Sequence, residues 1–236
     1  PCVYRVHEAP PKEGFESFLG YLRSLGFDTS DIPRDGVSSG RLSAILSEAE
    51  ERGVLSAVSY TMLRSMAKAK YSEEQAGHFG LGIENYCHFT SPIRRLSDLA
   101  THRIINRVIF ENKKAEHYAS YARRAAAAAT EGELRAINAE RRIEDLYKVI
   151  YMADHIGEVY PAVVNSVTSF GMFCTLPNTC EGLVPISEMP GLFTFDETNL
   201  TMRSRTKIYR IADEIKICVE EASITRGKLR FSIVED

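Results

Sequence analysis

Apolar residues recur every three or four positions through most of the first 156 residues of this 236-residue chain. That spacing is typical of helices that bury one face. A short apolar run first predicts a strand from Val3 to His7. Helices are then expected over about 15–25, 41–51 and 54–68. The first part of the chain is therefore predicted to be mainly helical.

A longer helix is predicted to begin at Ser91 and to run to about residue 111. Serine is preferred at the N-cap, and Pro92 suits the first helical position, where no N–H group is needed. The apolar positions predict one buried stripe, formed by Ile93, Leu96, Ala100, Ile104 and Val108. Arg95, Asp98 and His102 share a second face of the same helix.

Another helix is predicted over about 115–155. Thr130 and Glu133 have the spacing of a capping box, which would restart this helix after Gly132. Its expected core stripe consists of Ala136, Ala139, Ile143, Leu146, Ile150 and Ala153.

At Gly157 the apolar spacing changes from the period of a helix to that of a strand. Strands are predicted over 159–167, 171–176, 181–187, 214–222 and 228–234. Five short strands in about 80 residues predict a small closed barrel, with Val159 and Val163 facing its core. The expected fold class is therefore α/β and mainly helical over residues 1–156, followed by an all-β five-stranded barrel over 157–236.

Composition narrows the class of protein. The net charge is −3. The five cysteines lack C-x-x-C spacing, which argues against a disulfide framework and a zinc site. Since no run of 18 apolar residues and no signal-peptide pattern occurs, we expect a soluble, cytoplasmic protein without membrane contact. Because the chain opens on Pro1 and an apolar run, we expect it to be part of a longer polypeptide.

Positive charge is concentrated near the predicted start of the helix at Ser91. Between residues 91 and 107 the arginines are Arg94, Arg95, Arg103 and Arg107, against Asp98 alone. Free N–H groups at a helix start, together with a guanidinium fork, favour an anion, of which phosphate is the leading candidate. The alternative is a capped helix whose arginines pair with carboxylates on the surface.

The sequence around these arginines resembles one enzyme family. The run YCHFTSPIRR, preceded by GHFGLG and followed by DLATHR, resembles the catalytic-domain signature of the ribonuclease II and ribonuclease R exoribonucleases. VYRVHEAP and MLRSMAKAKYSEEQAGHFGLG resemble other segments of that domain. The resemblance implies that residues 1–156 form the C-terminal portion of the catalytic domain. It also implies an enzyme that removes nucleotides processively from the 3′ end of single-stranded RNA.

The resemblance implies roles for particular residues. Arg94 matches the arginine that holds the scissile phosphate. Arg95 and Arg103 would line the path of the RNA backbone, and Thr90 and Ser91 would donate hydroxyl groups nearby.

Glu140, in the run INAERR, matches a glutamate that the family carries near its active centre. The resemblance makes Glu140 a candidate for positioning or for handling a proton. The alternative is an ordinary solvated helix face, in which a carboxylate pairs with basic residues one turn away.

The chain departs from the family in two places. Leu96-Ser97 stands where the family has tyrosine-proline after the two arginines, and we expect this change to alter packing only. The family's aspartate cluster, D-x(5)-D-x-D-D, is absent, and Asp28, Asp31 and Asp35 are spaced differently. Since Mg²⁺ needs oxygen ligands, we expect them upstream of Pro1, so that this segment alone would be inactive.

The predicted barrel resembles the OB-fold RNA-binding module named after ribosomal protein S-one, through the runs GEVYPAVVNSVTSFGMFCTL and EGLVPISEM. Tyr160, Phe170 and Phe173 are expected to point outward, where aromatic rings stack on bases. The alternative places both phenylalanines in the core. Lys228 and Arg230 are expected to point outward and meet the RNA backbone.

Two functions from different classes are therefore compatible with the sequence. One is part of a Mg²⁺-dependent 3′–5′ exoribonuclease that releases nucleoside monophosphates, with single-stranded RNA and the rest of the catalytic domain as its partners. The other is a non-catalytic RNA-binding protein that keeps the fold and has lost the metal site.

Overall fold

The computed structural model describes residues 1–33 and 37–235, so Asp35 lies outside the described residues. The chain divides into two compact units. The first unit comprises residues 1–15, 32–44 and 65–138, and the second comprises 16–31, 45–64 and 139–236.

The described residues form five α-helices. They are α1 (Lys12–Ser24), α2 (Ser39–Glu51), α3 (Leu55–Ser65), α4 (Leu96–Ile105) and α5 (Ala119–Ala153). Each lies where the apolar spacing predicts a helix, which confirms the mainly helical first part. None of these helices has the length and apolar character that crossing a membrane requires.

The first unit is built around a strand pair and two helices. β1 (Tyr4–Val6) pairs antiparallel with β2 (Lys70–Ser72), which the sequence analysis missed. Val3 and Tyr71 pack in one core with Ala100 and Ile104 of α4 and with four alanines of α5. The alanines are Ala122, Ala125, Ala126 and Ala129. Such small side chains let a helix approach its neighbours closely.

Helix α4 begins four residues later than predicted, with Leu96 and not Pro92 as its first helical residue. Residues 91–94 form a turn, and Arg95 is the N-cap with extended backbone angles (φ −124°, ψ 121°) and no side-chain cap. The prediction of an N-cap at Ser91 is therefore wrong. The predicted stripe is also wrong at its first two positions, because Ile93 is fully exposed and Leu96 about half exposed. The helix continues as a π-helical turn, Asn106–Phe110, close to the predicted end.

Helix α5 runs without a break through the predicted capping box. The Thr130 hydroxyl accepts the Tyr71 N–H (2.9 Å), and Glu133 pairs with Arg5 (2.6 Å). Both side chains are thus used in tertiary contacts instead of a cap. The predicted core stripe of this helix is also wrong. Of its six residues, five are exposed and only Ala153 is half-buried. Val149 and Met152 supply the buried positions.

The second unit contains a closed barrel with strand order β10-β5-β4-β3-β9. The strands of the barrel are β3 (Val159–Thr168), β4 (Gly171–Thr175), β5 (Glu181–Pro185), β9 (Glu214–Ser223) and β10 (Lys228–Ile233). They confirm the five predicted strands and the barrel. Inside the connection from β5 to β9 lies a small antiparallel sheet that the sequence analysis missed. It consists of β6 (Thr194–Asp196), β7 (Thr201–Arg203) and β8 (Ile208–Tyr209).

The predicted inward face of β3 is wrong in its first half. Ala162 and Val164 are buried, whereas Val159 and Val163 are exposed. The pairing of β3 with β4 shifts register between Val164 and Ser166, which marks a β-bulge. One extra residue reverses the alternation of faces along a strand, so no single period describes the whole of β3.

The barrel closes through parallel pairing of β10 with β5, where Leu229 lies opposite Gly182. A side chain at Gly182 would overlap the ring of Phe231, which is completely buried. The absence of a side chain at Gly182 therefore makes room for the largest side chain of the barrel interior at this point.

We expect Gly182→Ala to lower the free energy of unfolding by about 1–3 kcal/mol, because the added methyl group overpacks the core. Urea titration followed by circular dichroism measures this change. Gly132→Ala is the matched control: Gly132 is in α5 with open space around it, so alanine should stabilise by up to about 1 kcal/mol. Equal effects of the two substitutions would contradict the packing argument.

Candidate nucleic-acid interface

The segment that carries the two adjacent arginines is held within the first unit by contacts to β1 and to α4. The residues that precede the arginines contact β1, because the backbone N–H of Arg5 donates to the Tyr86 carbonyl at 2.8 Å. On the other side, His102 of α4 hydrogen-bonds the Phe89 carbonyl through Nε2 (2.7 Å), and the His102 and Phe89 rings are in tilted contact with centroids 4.4 Å apart. The turn at residues 91–94 follows directly.

A buried carboxylate anchors this turn. Asp98 is fully buried, and its Oδ1 accepts the Ser91 N–H and an Arg95 N–H, each at 2.8 Å. Its Oδ2 accepts the Ser97 hydroxyl at 3.0 Å. Burial alone would raise the pKa of Asp98, but the hydrogen bonds from Ser91, Arg95 and Ser97 together hold the pKa below its usual range. Asp98 is therefore charged at neutral pH.

The two adjacent arginines have different environments. Arg95 forms the ion pair with Asp98, so its guanidinium faces the protein. Arg94 is exposed, and no side-chain hydrogen bond or ion pair joins it to the residues that the structure describes. The alternative in which the arginines pair with surface carboxylates does not describe Arg94, and the carboxylate that pairs with Arg95 is buried.

The other residues implied for this site lie near the turn in sequence and on the surface. Thr90 is exposed and Ser91 is half-buried. Arg103 is exposed on α4, with its guanidinium 5.7 Å from the centre of the Tyr121 ring. Thr90, Arg94 and Arg103 are thus available to an anionic ligand, while the Ser91 backbone is used by the turn.

A polar network that the sequence analysis missed supports the same segment from behind. The Tyr71 hydroxyl hydrogen-bonds His88 Nδ1 (2.8 Å) and contacts Glu133 Oε1 (3.5 Å), and Glu133 pairs with Arg5. Burial, followed by the charges of Arg95 and Arg5, lowers the pKa of His88. The spacing of these residues, which come from four separate segments, carried no signal by which the network could have been found.

Glu140 lies in the exposed middle of α5. Among the residues that the structure describes, no hydrogen bond or ion pair to its carboxylate is found. Its implied role in positioning or proton handling therefore stays a prediction.

The barrel presents an aromatic groove. Phe170 is about half exposed, and its ring meets that of Phe173 edge to face with centroids 5.9 Å apart. The alternative that places both rings in the core is wrong. Both line a groove of about 310 Å³ together with Lys148 of α5 and Lys228 of β10. The carboxylates of Asp145 and Glu181 also line this groove.

Gly171 shapes this end of the barrel. Its φ of 151° lies outside the range that side chains favour, and a side chain there would collide with the Val184 carbonyl. The F-G-x-F turn can therefore place Phe170 and Phe173 side by side only with glycine at this position.

Arg230 and Tyr160 differ from the expectation drawn for them. Arg230 points outward from β10, but its guanidinium is bound by Glu188 (2.7 Å) and Glu221 (3.1 Å). Tyr160 is not an outward aromatic: its ring packs against the barrel core, and its hydroxyl donates to Glu158 (2.6 Å). That hydrogen bond raises the pKa of Tyr160 to about 12. Contact of either residue with RNA stays a prediction.

The described residues contain no group of three or more histidine, cysteine, aspartate or glutamate side chains that could hold a metal ion. Asp98 is charged, but its oxygens already accept three protein donors. The residues present here therefore do not fit a Mg²⁺ site by themselves.

Comparison with known proteins identifies the class of both parts. Residues 1–111 match the model of the RNB domain, and residues 153–234 match that of the S1 RNA binding domain. Ribonuclease R 1 of Lactococcus lactis is 37% identical over 98% of this chain and 29% of its own length. Ribonuclease R of Thermotoga maritima is 34% identical over 100% of this chain and 34% of its own length.

Solved structures agree with this class. The apo form of Mycoplasma genitalium ribonuclease R superposes with a TM-score of 0.88 at 26% identity. It covers 99% of this chain, which in turn covers 38% of that structure. The same TM-score and identity are found for that protein in complex with ribose methylated single-stranded RNA.

The chain thus joins an RNB domain to an S1 RNA-binding domain. These relatives and solved structures are all named ribonuclease R, which confirms the predicted resemblance to the ribonuclease II and ribonuclease R family. The chain spans about a third of the length of these relatives.

Proposed function

We propose that this chain is the RNA-gripping part of a cytoplasmic 3′–5′ exoribonuclease that degrades single-stranded RNA processively to nucleoside monophosphates. The observation that carries the proposal is the exposed Arg94, which has no described protein partner and lies on a turn fixed by a buried carboxylate. A guanidinium held in this way can donate two parallel hydrogen bonds to a phosphate. The Mycoplasma genitalium relative with single-stranded RNA bound supports RNA as the ligand.

In this proposal different residues contact different parts of the RNA. Arg94 holds and orients the scissile phosphate, and the exposed Thr90 and Arg103 contact the RNA backbone nearby. Phe170 and Phe173 hold unpaired bases by stacking, which tolerates any sequence, and the lysines of the same groove attract the backbone. A nuclease that removes every nucleotide in turn needs such sequence-tolerant contacts.

Mg²⁺ would activate water and stabilise the leaving oxygen when bound. No cluster among the described residues fits a metal ion. We therefore propose that the carboxylate ligands of Mg²⁺ lie in another part of a longer polypeptide, one as long as the ribonuclease R relatives. The proposed boundary between the catalytic portion and the S1 domain is at residues 156 and 157.

The missing metal cluster also favours a second candidate function, that of a non-catalytic RNA-binding protein. Degradation of single-stranded RNA by the polypeptide of the relatives' length, measured with and without EDTA, separates the two functions. We expect mononucleotide release that EDTA abolishes and added Mg²⁺ restores. Tight RNA binding without degradation in Mg²⁺ would establish the non-catalytic alternative, and degradation that persists in EDTA would contradict the metal proposal.

We expect Arg94→Ala to lower the turnover rate of that polypeptide by about 10²–10³-fold, because one oriented donor to a reacting phosphate is lost. RNA affinity should change little, since many other contacts remain. Single-turnover kinetics and fluorescence anisotropy measure the two quantities. Arg124→Ala, which removes an equal charge from exposed α5, is the control. Equal losses of affinity and turnover would show that Arg94 is a general binding residue.

We expect replacement of both Phe170 and Phe173 by alanine to weaken the binding of long single-stranded RNA to this chain by about tenfold or more. Each lost stacking contact is worth about 1–3 kcal/mol. Anisotropy with a labelled oligonucleotide measures the affinity. Leu192→Ala serves as the control, because Leu192 is an apolar residue of the same unit with 94% exposure. Unchanged affinity in the double variant would exclude the groove as an RNA-binding surface.

A further inference from the structure

We propose that Asp98 and Ser97 are positioning residues: they fix the backbone of the 91–94 turn and thereby orient the Arg94 guanidinium. This inference rests on the proposed function of Arg94. It gives the polar face of α4 a positioning role that neither the sequence motif nor the concentration of arginines indicated. Asp98 never touches RNA in this proposal and acts only through the turn.

The first argument is the cost of burying Asp98. A charged carboxylate without exposure is strongly destabilising unless it is paired and hydrogen-bonded. Asp98 meets this requirement through three donors: the Ser91 N–H, the Arg95 guanidinium and the Ser97 hydroxyl. One of the three is a backbone group of the turn itself, so the turn cannot move without leaving part of a buried charge unsatisfied.

The second argument is that the two adjacent arginines have different partners. The Asp98 charge is balanced by Arg95, which is drawn inward at 2.8 Å. The Ser91 carbonyl accepts the N–H groups of Arg94 (3.3 Å) and Arg95 (3.1 Å) and so closes the turn. Because the backbone on both sides of Arg94 is held while its side chain has no described partner, only that side chain remains available for a ligand. In this proposal Arg95 serves as the counter-ion of Asp98, and Arg94 is the arginine that contacts RNA.

The third argument concerns Ser97, which is fully buried in the first turn of α4. Its hydroxyl donates to Asp98 Oδ2 at 3.0 Å. Its carbonyl accepts the Thr101 hydroxyl one turn later, at 2.9 Å, so Ser97 is held within α4 while it bonds the anchor. The replacement of proline by serine at this position, expected to change packing only, adds a hydroxyl donor to the buried charge.

Hydrogen–deuterium exchange of the Ser91 amide in this chain tests the anchor without any activity assay. Asp98→Asn and Ser97→Ala should each speed this exchange, by about tenfold or more for Asp98→Asn, which weakens a charge-assisted hydrogen bond. Thr101→Val is the matched control, because it removes another buried hydroxyl of α4, one that donates to the Ser97 carbonyl and not to Asp98 among the described residues. Unchanged exchange at Ser91, or an equal rise at the Leu99 amide within α4, would overturn the proposal.

A double-mutant cycle tests whether Asp98 acts through Arg94. In the polypeptide of the relatives' length, Asp98→Asn should lower kcat and leave KM nearly unchanged, as expected of a residue that orients a reacting group. In an Arg94→Ala background the same substitution should have no further effect on kcat. An equal loss in both backgrounds would refute the positioning role. If the unaltered polypeptide degrades no RNA, the proposed function fails, while the exchange measurement still decides the anchor.

Discussion

A single buried charge organises the part of the molecule on which the proposed chemistry depends. Asp98 lies in the first turn of α4 with no exposure, and its three donors tie the helix to the preceding turn. The lowered pKa that results keeps the carboxylate charged at neutral pH. The same constraint separates the two neighbouring arginines into one that balances Asp98 and one that is exposed.

In the proposed function, the second unit would bind RNA by a different route. Its barrel buries a continuous apolar interior, and tight packing around Gly182 and Phe231 closes the sheet. The F-G-x-F turn then presents two rings on the surface of the closed barrel. Stacking needs only a fixed aromatic surface, so it places few constraints on the neighbouring charges, and the groove can hold lysines and carboxylates together.

Elements with one clear apolar period were predicted closely, and each error has its own physical cause. The barrel strands and all five helices lie where their spacing indicates. The inward face of β3 was misassigned because a bulge reverses the alternation, and the stripe of α5 because apolar residues lie on several of its faces. The start of α4 was misplaced because the extended backbone of Arg95 separates the turn at residues 91–94 from the helix. Local propensity does not register the ion pair between Arg95 and Asp98 that accompanies this backbone conformation.

The sequence by itself determined the order of the elements, the family resemblance and the candidates Arg94, Phe170 and Phe173, because local periodicity and a contiguous motif carry that information. Only the tertiary structure decided which of these groups are available. Arg94 and Arg95 are adjacent and chemically identical, yet a buried carboxylate takes one and leaves the other. Arg230 is likewise bound by two glutamates from β9 and from the segment after β5. Charge pairing depends on distances in space, which neighbours along the chain do not fix.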